Sequence, residues 1–287
     1  MNQISWRHHY LPVFYLKGFT KESGNLKIYN VVTKKFVQKG KEFSPESYFF
    51  EKDANSIFKN NTKSDFVENG YADLENKIAK LITKINSSDD LTRYDVNEDD
   101  MPMLNLFVSL MYWRLPHRKE ELDIILKNND LINLGLAIKN SDGTANTDFE
   151  QEIKNDPEFL KAYKFFHSLI DSVRGLNCRT PYTIIPKQAN LPFLCSDNPV
   201  IFENLSPNTF EDDYIFPLSG TRFFIKSNKR ENFHHFLWLL IDIVIYKQAV
   251  KYVSCTHQEY IEMLDNSFEK YNMTLDELKA EIFKRLQ

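Results

Sequence analysis

The run Phe236–Tyr246, FLWLLIDIVIY, is the longest apolar stretch of the chain, and only Asp242 interrupts it. Crossing a bilayer takes roughly 20 apolar residues, so this shorter run is expected inside the protein as a core helix. Covering such a helix requires much apolar surface elsewhere. The chain has it: 42% of its 287 residues are hydrophobic, with 23 Phe and 14 Tyr among them. A chain of this length should remove about three quarters of its extended surface from water on folding. An aromatic-rich core is therefore expected, and charged residues at 26% do not point to global disorder.

Periodicity divides the chain into three parts. Near the N-terminus, Asn25–Val31 alternates like a strand, turns near Thr33–Lys34 and finds a partner at Lys35–Gln38. Residues 44–63 show no sustained period, and a short strand at Tyr48–Phe50 within a loop is expected there. The centre is helical. Val67, Tyr71, Leu74, Ile78, Leu81, Ile82 and Ile85 form one apolar stripe, which the SSDD cluster at Ser87–Asp90 should stop. A second helix is expected after the acidic cluster Asn97–Asp100, with Pro102 in its first turn, running to Leu115. More helix is expected over 118–138 and, after the polar breaker KNSDGTANT at Lys139–Thr147, through Phe159–Val173. The last third carries short strand candidates at Tyr182–Ile185, Phe193–Cys195, Val200–Phe202, Tyr214–Phe216 and Thr221–Ile225. The apolar helix, a strand at Lys251–Ser254 and two terminal helices follow, the last opened by a capping box of Thr274 and Glu277. These features predict an α+β fold, with a helical centre and short strands from the N-terminal and C-terminal thirds. One domain over residues 1–287 is expected, with a surface excursion at 139–147.

Several function classes lack material. A net charge of −4 gives no broad basic face for nucleic acid, although a local basic cleft is compatible with it. With 8 Gly, no Walker A sequence and no GxGxxG, a nucleotide cofactor is not expected. Cys178, Cys195 and Cys255 are widely spaced and form no CxxC pair. They read as reduced thiols of a cytoplasmic protein, and MNQISWRHHYLP lacks a signal-peptide core. No membrane association is expected.

Polar residues at inward positions are the functional candidates. His8 and His9 could act as a general base, ligate a metal or bind phosphate, or else serve the fold alone. Glu75 lies beside the apolar stripe of its helix, and Arg114 sits three residues after Met111 on the inward face of the next. Isolated charges are costly in a core, so the two are expected to pair or to line a polar cleft. A functional Arg114 would clamp an anion with its planar fork. Within LCSDNPV, Asp197 could hold a divalent cation and Asn198 orient a phosphate, though both residue types also brace tight turns. His234, Trp238 and Asp242 share a helix face and read mainly as packing.

Taken together, HHYLPVFYLKGF at His8–Phe19, the Glu75 helix, WRLP around Arg114, FLCSDNPV at Phe193–Val200 and FPLS at Phe216–Ser219 resemble the DUF4238 family of bacterial proteins. The resemblance implies recurrent polar positions at His8 or His9, Tyr15, Glu75, Arg114, Ser196, Asp197, Asn198 and Pro217. The family's glutamine shortly before the arginine is replaced here by the stretch Leu110, Met111 and Tyr112. The resulting expectation is a metal-assisted phosphodiester hydrolase, such as a nuclease-like effector. In it, His8, His9, Glu75, Arg114, Asp197 and Asn198 form the site, with Glu75 and Asp197 on Mg2+ or Mn2+. Its partner would be nucleic acid or a small phosphodiester at a local cleft. The alternative is a non-enzymatic module that binds an anionic ligand or a protein partner.

Overall fold

A computed structural model describes residues 6–20, 22–87, 94–176, 180–187, 191–204, 210–227 and 235–286. The N-terminal third gives β1 (Arg7–His9), α1 (Val13–Lys17), β2 (Leu26–Asn30), β3 (Lys35–Phe36), β4 (Glu42–Phe43), β5 (Phe50–Lys52), β6 (Ile57–Lys59) and β7 (Thr62–Ser64). The centre comprises α2 (Phe66–Asn86), the two-residue β8 (Tyr94–Asp95), α3 (Met101–Trp113), α4 (Lys119–Asn128), α5 (Thr147–Lys154) and α6 (Pro157–Leu176). The last third gives β9 (Tyr182–Pro186), β10 (Leu194–Ser196), β11 (Ile201–Phe202), β12 (Tyr214–Ser219), β13 (Arg222–Lys226), α7 (His235–Lys247), β14 (Tyr252–Cys255), α8 (Gln258–Tyr271) and α9 (Leu275–Arg285). This is the α+β arrangement that the periodicities predict.

Two five-stranded antiparallel sheets organise the strands. One runs β10–β14–β2–β3 with β4 also on β2, so that Ser254 pairs with Ile28. The other runs β11–β12–β13–β9–β8. Smaller pairs, β1 with β5 and β6 with β7, lie outside both.

Two hydrophobic clusters fill the interior. The first joins α1, α2, α3 and α6, where Tyr15, Phe107 and Phe216 pack ring against ring. The α2 stripe serves this cluster as its spacing predicts, with Val67, Tyr71, Ile78, Ile82 and Ile85 buried. The second surrounds α7, whose Leu237, Ile241 and Val244 meet Val253, Leu264 and Phe283. Asp242 is fully buried there, where it accepts hydrogen bonds from Lys187 Nζ at 2.9 and 2.6 Å and from the Tyr260 hydroxyl. The break in the apolar run is thus a neutralised core carboxylate. Its expected neighbour on that face, His234, lies outside the described residues. No helix among the described residues is long and apolar enough to cross a membrane.

The backbone departs from expectation in the N-terminal loops and after α4. The stretch 44–63 holds β5 and the β6–β7 hairpin, turned by Asn60 and Asn61 at φ 50° and 60°. Asn adopts such left-handed angles more readily than most residues. The helix expected over 118–138 ends at Asn128, where the Asn129 side chain donates back to the Ile125 carbonyl. Leu131 and Leu134 still bury themselves, but from turns rather than a helix, and Gly135 takes φ +84°. After an exposed turn at 140–144, Asn146 caps α5 by accepting the Phe149 amide at 3.0 Å. Cys195 and Cys255 are buried, and Cys178 lies outside the described residues.

Candidate functional site

Helix α2 places Glu68, Tyr71 and Glu75 at i, i+3 and i+7, hence along one face. Opposite them, α3 ends at Arg114, with Pro116 opening a 3-10 turn just beyond. The Arg114 guanidinium pairs through Nη1 with Glu75 Oε1 and lies 4.2 Å over the Tyr71 ring. Arg114 is 5% exposed and the Glu75 side chain 23%. Burial opposes the guanidinium charge, but Glu75 and its neighbours outweigh it and hold the pKa of Arg114 above its usual value. Two atoms here are buried without a hydrogen-bond partner, Arg114 Nε and the Tyr71 hydroxyl. Each such atom costs about 1–3 kcal/mol.

The paired histidines belong to β1, and successive strand residues point to opposite faces. His8 is buried, and its Nδ1 accepts the Asn55 backbone N–H at 2.9 Å. The same nitrogen lies 3.6 Å from Glu68 Oε2, but an atom that accepts an amide proton carries none of its own, so this is not an ion pair. Burial lowers its pKa in keeping with a neutral ring. His9 is half-buried against Phe50, with Nε2 3.3 Å from the Glu46 carbonyl, and burial lowers its pKa as well. Arg114 is near enough to lower it further.

Asn55 connects these groups to a residue the sequence reading did not select. Its backbone serves His8, its Nδ2 donates to Glu68 Oε2 at 2.8 Å, and its Oδ1 accepts from Lys164 Nζ at 3.1 Å. Lys164, on α6, is pushed down to about 8 by burial and by Arg114, against the pull of Glu51 and Glu68. It opens on a pocket of about 200 Å3 whose lining includes Lys52, Lys119, Lys161, Leu122 and Leu160. Glu68 could have been inferred, since it sits seven residues before Glu75 on the same helix face. Lys164 follows Leu160 by one turn on an apolar stripe, which is a similar signal. Asn55 sits in a loop with no period, and only tertiary pairing discloses it.

Asp197 and Asn198 do different work, at the turn beyond β10. Asp197 Oδ1 accepts the Val250 amide, while Oδ2 accepts those of Lys251 and Tyr252, each at 2.8 Å. Burial raises its pKa despite these amides. Asn198 Nδ2 donates to the Gln248 carbonyl at 3.0 Å, and Gln248 Nε2 returns bonds to the Asn198 and Val200 carbonyls. These bonds bind the turn between α7 and β14 to the end of β10. Tyr15 likewise ties α1 to β12 by donating to the Pro217 carbonyl at 3.0 Å. The structure therefore joins His8 to Glu68 through Asn55, pairs Glu75, on the same helix face as Glu68, with Arg114, leaves His9 against the Glu46 carbonyl, and assigns Asp197 and Asn198 to backbone bracing. Among the described residues, no group of three or more His, Cys, Asp or Glu is placed to hold a metal ion. With Glu75 on Arg114 and both Asp197 oxygens on amides, the donors present do not fit a Mg2+ or Mn2+ centre.

A second polar group lies between α3 and α6. Trp113 Nε1 donates to Asp171 Oδ2 at 2.7 Å, the Tyr163 hydroxyl lies 3.0 Å from His167 Nδ1, and the Trp113 and His167 rings meet at 4.6 Å. His167 also lines a cavity of about 800 Å3 with His117, Arg174 and Glu211. Burial pulls both histidines down to about 4 and pushes Asp171 up to about 6.

Fold and site together define an α+β protein whose interior hydrogen-bond network ends at a lysine-lined pocket. The model of the family described as "Protein of unknown function (DUF4238)" matches residues 7–236, and the chain belongs to that family. No curated protein and no solved structure matches it.

Proposed function

We propose that the protein is a binding module for a small anionic ligand, held in the pocket above Lys164. One observation carries the reading: the pocket has an excess of uncompensated positive charge. Among its charged residues, Asp53 is matched by Lys63 and Lys161 by Glu158. Lys52, Lys119 and Lys164 are then opposed in the lining by Glu51 alone. Apolar walls lower the local dielectric and lengthen the reach of those charges. A pocket of about 200 Å3 suits a compact ligand rather than a polymer.

Metal-assisted phosphodiester hydrolysis draws no comparable support, because its two proposed metal ligands are committed elsewhere. The test is a thermal-shift and calorimetric titration with inorganic phosphate, pyrophosphate, AMP and citrate, without added metal. At least one anion should raise the melting temperature in a concentration-dependent way. Lys119→Ala should weaken that response. Loss of the response at high salt alone would point to surface screening, whereas no response from any anion overturns the reading. A parallel incubation with RNA, DNA and small phosphodiesters plus Mg2+ or Mn2+ would reassign the site if turnover appeared and Glu75→Gln abolished it.

A further inference from the structure

Several lysines enclosed by this fold have a carboxylate beside them, while Lys226 donates to the backbone carbonyls of Phe210 and Glu211. Lys154 has Glu150 at 3.3 Å, Lys187 has Asp242 at 2.6 Å and Lys279 has Asp276 at 3.8 Å. Lys161, one turn before Lys164, has Glu158 at 2.9 Å. Lys164 differs. Among the described residues its Nζ meets a neutral oxygen, Asn55 Oδ1, at 3.1 Å, and no carboxylate lies within ion-pair range. That oxygen is fixed, since the Asn55 amide group is also bound to Glu68 and its backbone to His8. A carboxylate would select the ammonium form, whereas an amide oxygen accepts a proton from –NH2 as well as from –NH3+. The amine is thus held in place without being locked in its charged state.

We propose that Lys164 forms a Schiff base with a small carbonyl compound that carries an anionic group, a phosphorylated aldehyde or a 2-oxo acid. The inference rests on the anion-binding reading above and specifies its ligand. Lys52 and Lys119 supply charge for the anionic end, and Leu115, Leu122 and Leu160 give the carbon skeleton an apolar wall. A second depression of about 340 Å3 shares Lys119, Pro157 and Leu160 with the pocket, so a longer ligand has room to extend. The uncharged Nζ attacks the carbonyl carbon, and a proton moves from nitrogen to oxygen to give a carbinolamine. Loss of one water then leaves the C=N bond, and hydrolysis reverses both steps. With a pKa near 8, about a tenth of the side chain is neutral at pH 7, against roughly one part in three thousand for an ordinary lysine.

The experiment treats the full chain with pyridoxal phosphate or pyruvate, reduces with sodium borohydride and maps labelled peptides by mass spectrometry. Lys164 should be labelled at least about tenfold above the mean of the other lysines, in keeping with its larger neutral fraction. Inorganic phosphate should protect it. Selective labelling by the aldehyde or by the oxo acid supports the proposal, and which one succeeds identifies the anionic group as phosphate or carboxylate. Lys164→Arg should lose the label while the other lysines keep their background labelling. Label spread evenly over surface lysines overturns the proposal, as does a label on the pocket peptide that survives Lys164→Arg. A melting shift with phosphate but no Lys164 label defeats the covalent step and leaves anion binding intact. If neither appears, both fall.

Discussion

Asp171→Asn should make the protein more stable at neutral pH, and the gain can be worked from the structure. The Asp171 carboxyl is 3% exposed and pushed up from 3.8 to about 6, chiefly by burial, even though Trp113 Nε1 donates to it. A folded-state value above the unfolded one means that the folded protein holds this proton more tightly. The contribution is therefore fully present below about pH 4 and is lost as pH rises through about 6. At ~1.4 kcal/mol per pH unit, ionising Asp171 costs the folded state about 3 kcal/mol. Asparagine keeps an oxygen for Trp113 and removes the titration. Urea unfolding of both proteins at about pH 4 and about pH 7 isolates the effect, because every other titrating group cancels in the difference. The stability of Asp171→Asn minus that of wild type should rise by about 2–3 kcal/mol between those pH values. A difference constant to within about 0.5 kcal/mol would mean that Asp171 ionises like an exposed carboxylate, and the burial argument would fail.

Three further outcomes follow from particular side chains. Glu75→Gln should cost about 2–3 kcal/mol in chemical denaturation, because it leaves Arg114 charged and enclosed. The figure lies toward the low end for buried pairs because Glu75 retains some solvent, and a loss below about 1 kcal/mol would show the pair to be dispensable. Asp197→Ala removes the acceptor of three backbone amides and should lower stability by about 3 kcal/mol, with Asp197→Asn recovering part of it. Amide exchange at Val250–Tyr252 that is as slow in Asp197→Ala as in wild type would contradict this bracing role. Thr274→Ala should cost about 1 kcal/mol by opening the capping box with Glu277, visible as faster exchange in the first turn of α9.

Where one stretch of sequence carried both the pattern and its cause, the fold was legible. The α2 stripe is repeated along a single helix face, and the apolar run that became α7 has few alternatives to burial. Expectation overshot after α4 because Leu131 and Leu134 keep a helical spacing while packing from turns. β1 and β5 are three residues each and pair with one another across 40 intervening positions that include α1 and three small strands, so neither has a period of its own. The site divides along the same line. Glu75 and Arg114 stood out because charges on inward helix faces demand partners. Asn55 did not, since its three bonds reach β1, α2 and α6 and nothing local announces them. Asp197 had the right chemistry for a ligand, but that chemistry is spent on amides that became its neighbours only when β14 docked.

The placement of β14 between β2 and β10 also sets a timetable for the growing chain. β2 pairs with β3 and β4 soon after synthesis, but its other edge faces β14, whose residues come roughly 220 positions later. At ~5–20 residues per second, that edge stays open for roughly 10–45 s in every round of translation. An uncovered strand edge is a template for pairing with another chain. Lys27, Lys34, Lys35, Lys39 and Lys41 surround this hairpin, and mutual repulsion between their charges on neighbouring nascent chains opposes such pairing until the C-terminus arrives. Replacing these lysines with neutral residues should therefore lower the soluble yield from the ribosome far more than it lowers the melting temperature of the finished protein.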